Sequence, residues 1–258
     1  MNGKPFFKTG SPAGTATLLY AGNAFAQKLA HNPIDKFVEA NGNYIQQVLP
    51  YNKKNLEPYM DAGTTHLHYR FHHGGAVKAG NNDLHITKKA LNENNLEKVN
   101  YWIKKLSYHF SLPVLHSIFR TNFTNKKTAP AGYLLKRIIK NFGSSYRLKA
   151  WIADTSKNVD GNGWGIVAYQ PYSDSLTVLQ CENHEKLANW RAVSLLVIDV
   201  WKHAYNLKYK NNGTDFADAL FNILNPDNIA QRLDTAIKIT KEHQLKHAVW
   251  FDVYLQAN

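Results

Sequence analysis

Arg147-Leu148-Lys149-Ala150-Trp151-Ile152-Ala153, Trp164-Gly165-Ile166-Val167-Ala168-Tyr169-Gln170 and Ser175-Leu176-Thr177-Val178-Leu179-Gln180 are three short apolar stretches rich in branched and aromatic residues. Such runs, bounded by turn residues, predict strands. Asp160-Gly161-Asn162-Gly163 separates the first two as a hairpin-type turn. Around this centre the three- and four-residue recurrence of Leu96, Val99, Trp102, Leu106 and Phe110 predicts a helix over 91–110. Tyr133 to Phe142 predicts another, with Leu134, Leu135, Ile138 and Ile139 inward and Gly143 as its C-cap. Further strands are expected at 66–71, 114–119 and 247–256, and further helices at 34–40, 187–205, 216–224 and 229–243. Mixed helices and strands of this kind give an α+β class: an antiparallel sheet with packed helices. A boundary near residue 90 would leave 1–90 as an N-terminal extension or small subdomain and 91–258 as the main domain.

The chain has 258 residues, 44% of them hydrophobic, which is ample for a buried core and excludes wholesale disorder. No run approaches the length of a membrane span. Lys4 and Lys8 ahead of Ala13–Ala26 faintly imitate a signal peptide, but Thr15, Thr17, Gly22 and Asn23 interrupt the apolar stretch, so an intracellular, cytoplasmic protein is expected. Cys181 is the single cysteine, which excludes an intramolecular disulfide and a cysteine-built zinc site. With Glu182 beside it, its thiol is a poor nucleophile and a better core residue.

The net charge is +12, and the excess is concentrated. Residues 98–153 hold 11 basic side chains and no acidic one. Aromatic residues such as Tyr108, Phe119, Tyr133 and Tyr146 are interleaved with them. Cations that neutralise phosphates beside rings that stack bases suit nucleic acid. The expected phosphate contacts are Lys105, Arg120, Lys126, Lys127, Lys136, Arg137, Lys140, Arg147 and Lys149, with DNA the expected partner ahead of RNA.

Thr65-His66-Leu67-His68-Tyr69-Arg70-Phe71 carries two histidines two residues apart. On a strand both imidazoles would share one face and could share a divalent metal. Tyr101-Trp102-Ile103-Lys104 follows on the predicted helix, where an ammonium one turn away would stabilise a phenolate nucleophile. This pair of motifs resembles the HUH endonucleases, the rolling-circle replication initiators and relaxases. The resemblance implies His66 and His68 as metal ligands, Tyr101 as nucleophile, Lys104 as its helper, and magnesium or manganese as the metal.

A longer stretch, Lys98 to about Lys246, resembles the inovirus replication-protein family through Ile103–Ser111, Tyr146–Ile152, Val197-Ile198-Asp199-Val200-Trp201 and Ala236–Lys241. In that alignment Trp164–Tyr169 lacks the paired histidines, and Ile237 or Lys238 stands where a tyrosine belongs. It implies an HUH/RRM-like fold whose nicking site is lost. Asp154-Thr155-Ser156 with Gly161–Val167, and Thr214-Asp215 before a helix, resemble a ribonuclease H fold, the second choice, in which Asp154 and Asp215 would hold metals.

The expectation is therefore a nucleic-acid-binding protein of a replication or mobile-element context. The alternatives are a metal-dependent endonuclease and a basic protein that coats nucleic acid.

Overall fold

The computed structural model describes residues 37–256, with side chains to residue 242. Two compact units divide it after Ile45. In the first, Val38 bridges Tyr44 around Gly42, whose φ of +86° suits the Asn41-Gly42 turn. Of the helix expected at 34–40, residues 34–36 lie outside the described residues, and 37–40 lead into this turn instead.

The second unit begins at Gln46. A short 3-10 turn, Lys53–Leu56, precedes helix α1 (Ala62–Leu67), which Asp61 caps by accepting from the Thr64 N–H at 2.8 Å. The chain then passes through a π-helical turn, His68–His73, into α2 (Gly74–Asn92). The alternation at 66–71 was a helical stretch, not a strand. The π turn places His68 and His73, five residues apart, on one buried side.

α3 (Val99–Thr121) returns antiparallel to α2 as a hairpin. The strand expected at 114–119 is its C-terminal half, because the helix continues through Pro113. This half buries Leu115, His116, Ile118 and Phe119. α4 (Gly132–Phe142) matches its expected span and ends at Gly143, φ +80°. Ser144 then caps α5 (Ser145–Lys157) by accepting from the Arg147 N–H. This corner turns the expected strand 147–153 into a helix. Ile152, Ala153 and Ser156 are its inward face.

The sheet is β1 (Gly163–Gln170), β2 (Ser175–Glu182) and β3 (Val193–Asp199), all antiparallel in the order β2-β1-β3. The α+β class with an antiparallel sheet and packed helices stands, whereas three strands in this order are neither the HUH/RRM-like nor the ribonuclease H-like sheet. β1 is central and buried on both faces, as its unbroken apolar run requires. Ile166 faces Leu115 of α3, while Val167 faces Ile138 of α4 and Ile152 of α5. Gly165 lets α5 approach, since a Cβ there would strike the Ser156 hydroxyl.

The long helix expected at 187–205 is instead β3 followed by α6 (Lys202–Tyr209). A continuous buried apolar run does not distinguish strand from helix by period. α7 (Gly213–Leu220) is capped by Asn212, and α8 (Pro226–Gln256) runs over the expected final strand. No described helix is long and apolar enough to cross a membrane.

β3 is an edge strand, and Asn122, just past α3, covers that edge. Its amide donates to the Leu195 carbonyl at 3.0 Å and accepts from the Val197 N–H at 2.9 Å. Asn122 is fully buried, so Asn122→Ala strands two backbone groups and is expected to cost about 3 kcal/mol. Thermal unfolding should show Tm lowered by roughly 6–12 °C. Exposed Asn158→Ala should leave Tm nearly unchanged.

Candidate metal centre

Asp199 is the last residue of β3 and is completely buried. Its Oδ1 accepts from the Trp201 N–H at 2.8 Å, which fixes the carboxylate across the strand-to-helix turn. Its Oδ2 faces three imidazoles. His68 Nε2 from the π turn lies at 2.9 Å, His203 Nε2 from α6 at 3.4 Å and His116 Nε2 from α3 at 4.0 Å. One ligand atom from each of the four residues falls within 4.8 Å of all the others.

The donor set fits a transition-metal ion. His116 Nδ1 hydrogen-bonds the Leu112 carbonyl at 2.9 Å, so Nδ1 carries the proton and the deprotonated Nε2 points inward. Both His116 Nε2 and His203 Nε2 are buried without a hydrogen-bond partner. Buried polar atoms are rarely left so, and a shared cation satisfies both. Burial pushes the His116 imidazole well below its usual value. It also lowers His68, against the opposing pull of Asp199. Burial alone would raise the Asp199 carboxyl, yet the neighbouring His203 and His68 hold it well below the carboxylate range. With His116 and His68 biased toward the neutral imidazole and Asp199 toward the carboxylate, these three groups already favour the forms in which they ligate a metal. Nitrogen-rich donors of this kind suit iron, manganese or zinc. Magnesium prefers oxygen ligands and waters, which corrects that expectation.

Aromatic side chains wall the centre. The Phe119 ring lies 4.7 Å from His68, and Trp164 packs edge-on to His116 at 5.1 Å. The Trp164 indole N–H donates to His184 Nδ1 at 3.0 Å, and His184 stacks on Trp201 at 4.7 Å. Burial pushes His184 down to about 4, so it is neutral with its proton on Nε2. His72, lowered to about 4 by burial and by His203, stacks on the His203 ring at 3.7 Å. Of the four ligand candidates only His203 keeps appreciable exposure, 20% of its side chain, so the centre meets solvent on that side.

His68 lies in this cluster and His66 does not. The half-buried His66 accepts from the Lys53 ammonium at 2.7 Å. Tyr101 is 54% exposed and Lys104 is exposed, both near the start of α3. Fifteen residues of helix, roughly 22 Å, separate Tyr101 from His116. Asp154 and Asp215 are held by local bonds to Asn158 and Asn212. Two of the expected phosphate contacts are interior. Arg120 donates to the Val48 carbonyl and to Gln47, and Arg137 makes a two-pronged bond to Asp174 at 2.9 and 3.0 Å. Lys105 lies over the Tyr101 and Tyr108 rings. Lys126, Lys127, Lys136, Lys140, Arg147 and Lys149 are exposed. The signal that sequence reading missed is Asp199-x-x-x-His203, a carboxylate and an imidazole four residues apart. Absorbing both into one apolar helix hid it.

Residues 43–124 match the model of the iron/manganese superoxide dismutase alpha-hairpin domain, and residues 130–232 match that of the C-terminal domain. A superoxide dismutase [Fe] of Pyrobaculum aerophilum is 35% identical over 75% of this chain and 93% of its own length. A superoxide dismutase [Mn/Fe] of Aeropyrum pernix is 34% identical over 75% and 92%. A probable superoxide dismutase [Fe] of Bacillus subtilis is 33% identical over 77% and 71%. These findings overturn the resemblance to HUH endonucleases and inovirus replication proteins. With it fall the expectations of nucleic-acid binding, replication, phage context and endonuclease activity, and of DNA as partner. The short motifs behind them recur by chance, and the basic segment is partly interior. Hairpin, sheet and buried His₃Asp cluster together agree with the matches: the chain belongs to the iron/manganese superoxide dismutase family.

Proposed function

We propose that this chain disproportionates superoxide at an iron or manganese ion held by His68, His116, Asp199 and His203. Two superoxide anions and two protons give one dioxygen and one hydrogen peroxide. One superoxide is oxidised and the other reduced, so electrons balance without an outside donor. The bound ion supplies reversible one-electron chemistry. The observation that carries the reading is the convergence of three imidazole nitrogens on Asp199 Oδ2, in a chain whose relatives are named superoxide dismutases.

The protein's part is positional and electrostatic. Asp199 offsets one positive charge of the ion in a water-poor site, and the Trp201 N–H prevents its carboxylate from rotating away. Phe119, Trp164 and Trp201 surround the site with apolar surface. The Trp164–His184 bond fixes the tautomer of a buried imidazole beside the ligands. The net charge of +12 favours the approach of a small anion, a use for the cations that needs no polymer.

Asp199→Ala is expected to reduce iron and manganese content to trace occupancy, measured by plasma mass spectrometry. His66→Ala and Tyr101→Phe should retain both metal and activity. Protein reconstituted with iron or manganese should consume superoxide in a stopped-flow assay, and protein incubated with magnesium should not. Full metal occupancy with no superoxide consumption would refute the proposal. The second-order rate should fall about twofold or more between low and physiological ionic strength, because salt screens the attraction of an anion to a cationic protein.

The same centre sets a pH dependence. Burial holds His72, His73 and His184 at about 4, 3 and 4, whereas an unfolded imidazole titrates near about 6.5. As pH falls from about 6.5 toward 4, the unfolded chain takes up protons that the folded chain refuses, so stability declines through that window. Urea unfolding of the metal-free protein should give a lower midpoint at pH 4.5 than at pH 7. Equal midpoints would show that these imidazoles are not held neutral.

A further inference from the structure

On the side of β1 opposite the metal centre is an apolar cavity of about 190 Å³. Its floor is Val167, Leu176, Leu195, Ile138 and Ile152, all buried. Its rim carries Thr128, Ser145 and Lys149, of which Thr128 and Lys149 are exposed. The superoxide reaction uses none of these residues, and the centre's Asp199, His116 and Trp164 do not line the cavity. A void of this kind is unusual, since interiors are packed to crystal density. An apolar cavity of about 150 Å³ stays free of water and takes up benzene, so this one has room for an alkyl chain of roughly six carbons.

The mouth is electropositive. Lys149 Nζ lies 5.0 Å over the Phe221 ring, and among the described residues no carboxylate pairs with it. Lys126 and Lys127 stand exposed in the loop that also supplies Thr128. The N-terminus of α5 opens at Ser145, adding the positive end of a 13-residue helix dipole.

We propose that the cavity is a binding site for a short- to medium-chain alkyl carboxylate, the chain lying on Val167, Leu176 and Ile152 and the carboxylate meeting Lys149 at the mouth. A chain of matching length buries methylenes against branched side chains, and the charged head stays at the surface, where solvent and Lys149 share it. A neutral apolar molecule would gain the same burial without the ammonium. A short carboxylate would gain the ammonium without the burial. The two contributions are therefore separable by experiment.

Calorimetric titration of the full-length, metal-loaded protein with butanoate, hexanoate and octanoate, below micelle-forming concentrations, tests the chain. Affinity should rise about fourfold per methylene and level off once about six carbons are buried. Octanoate should bind about threefold more tightly than octanol, and Lys149→Met should erase that preference while keeping the chain-length trend. Leu148→Trp, placed at the half-buried rim, should fill the entrance and abolish binding of both. Superoxide consumption should be the same in all three proteins. Affinity independent of chain length, octanol bound as tightly as octanoate by the unmodified protein, or octanoate binding unaffected by Leu148→Trp would each overturn the assignment.

Discussion

The Asp199 carboxylate is the point on which the centre depends. It ends the edge strand, its Oδ1 is tied to the Trp201 amide, and its Oδ2 faces nitrogen atoms from the π turn, α3 and α6. A buried carboxylate without partners would cost several kcal/mol, so these elements cannot drift apart without exposing a heavy penalty. The centre is therefore a folding constraint as well as a reaction site. A bound ion adds to that constraint, because it binds the assembled ligands and not the unfolded chain.

The rest of the unit holds Asp199 in place. β3 has β1 on one side only, and the Asn122 amide supplies the missing strand-like partner on the other. Asn122 follows directly on α3, the helix that carries His116, so one side chain links the position of a ligand helix to the register of the strand bearing Asp199. Asn228 reaches the same amide from α8. The alternation of β1 separates two environments. Ile166 faces the α3 side, and Val167 faces the apolar cavity beneath α4 and α5.

Charge reads differently once the chain is folded. Arg120 and Arg137 contribute to the basic segment in sequence but are internal in structure, bonded to the Val48 carbonyl and to Asp174. The Arg137 guanidinium beside it holds the Asp174 carboxyl below its usual range. The cations that remain outside are compatible with attracting a small anion and do not require a phosphate chain. Segregation of charge along a sequence is not segregation on a surface.

The sequence alone determined the α+β class, the strands β1 and β2 and the helix α4, because apolar β-rich runs, turn residues and a capped amphipathic period are local properties, whereas the hairpin turn expected at 160–163 is instead the link from helix α5 to β1. It left β3, α5 and the second half of α3 misread. β3 and the second half of α3 are buried on more than one side, where period no longer distinguishes strand from helix, while α5 has one buried face, Ile152, Ala153 and Ser156, in a stretch too short to display its period. The metal centre was legible only as His68 and an unused Asp199-x-x-x-His203. Which histidines converge was decided by tertiary structure, since the ligands come from positions 68, 116, 199 and 203 and no local rule relates their distances. Only packing of the hairpin against the sheet brings them within reach of one ion.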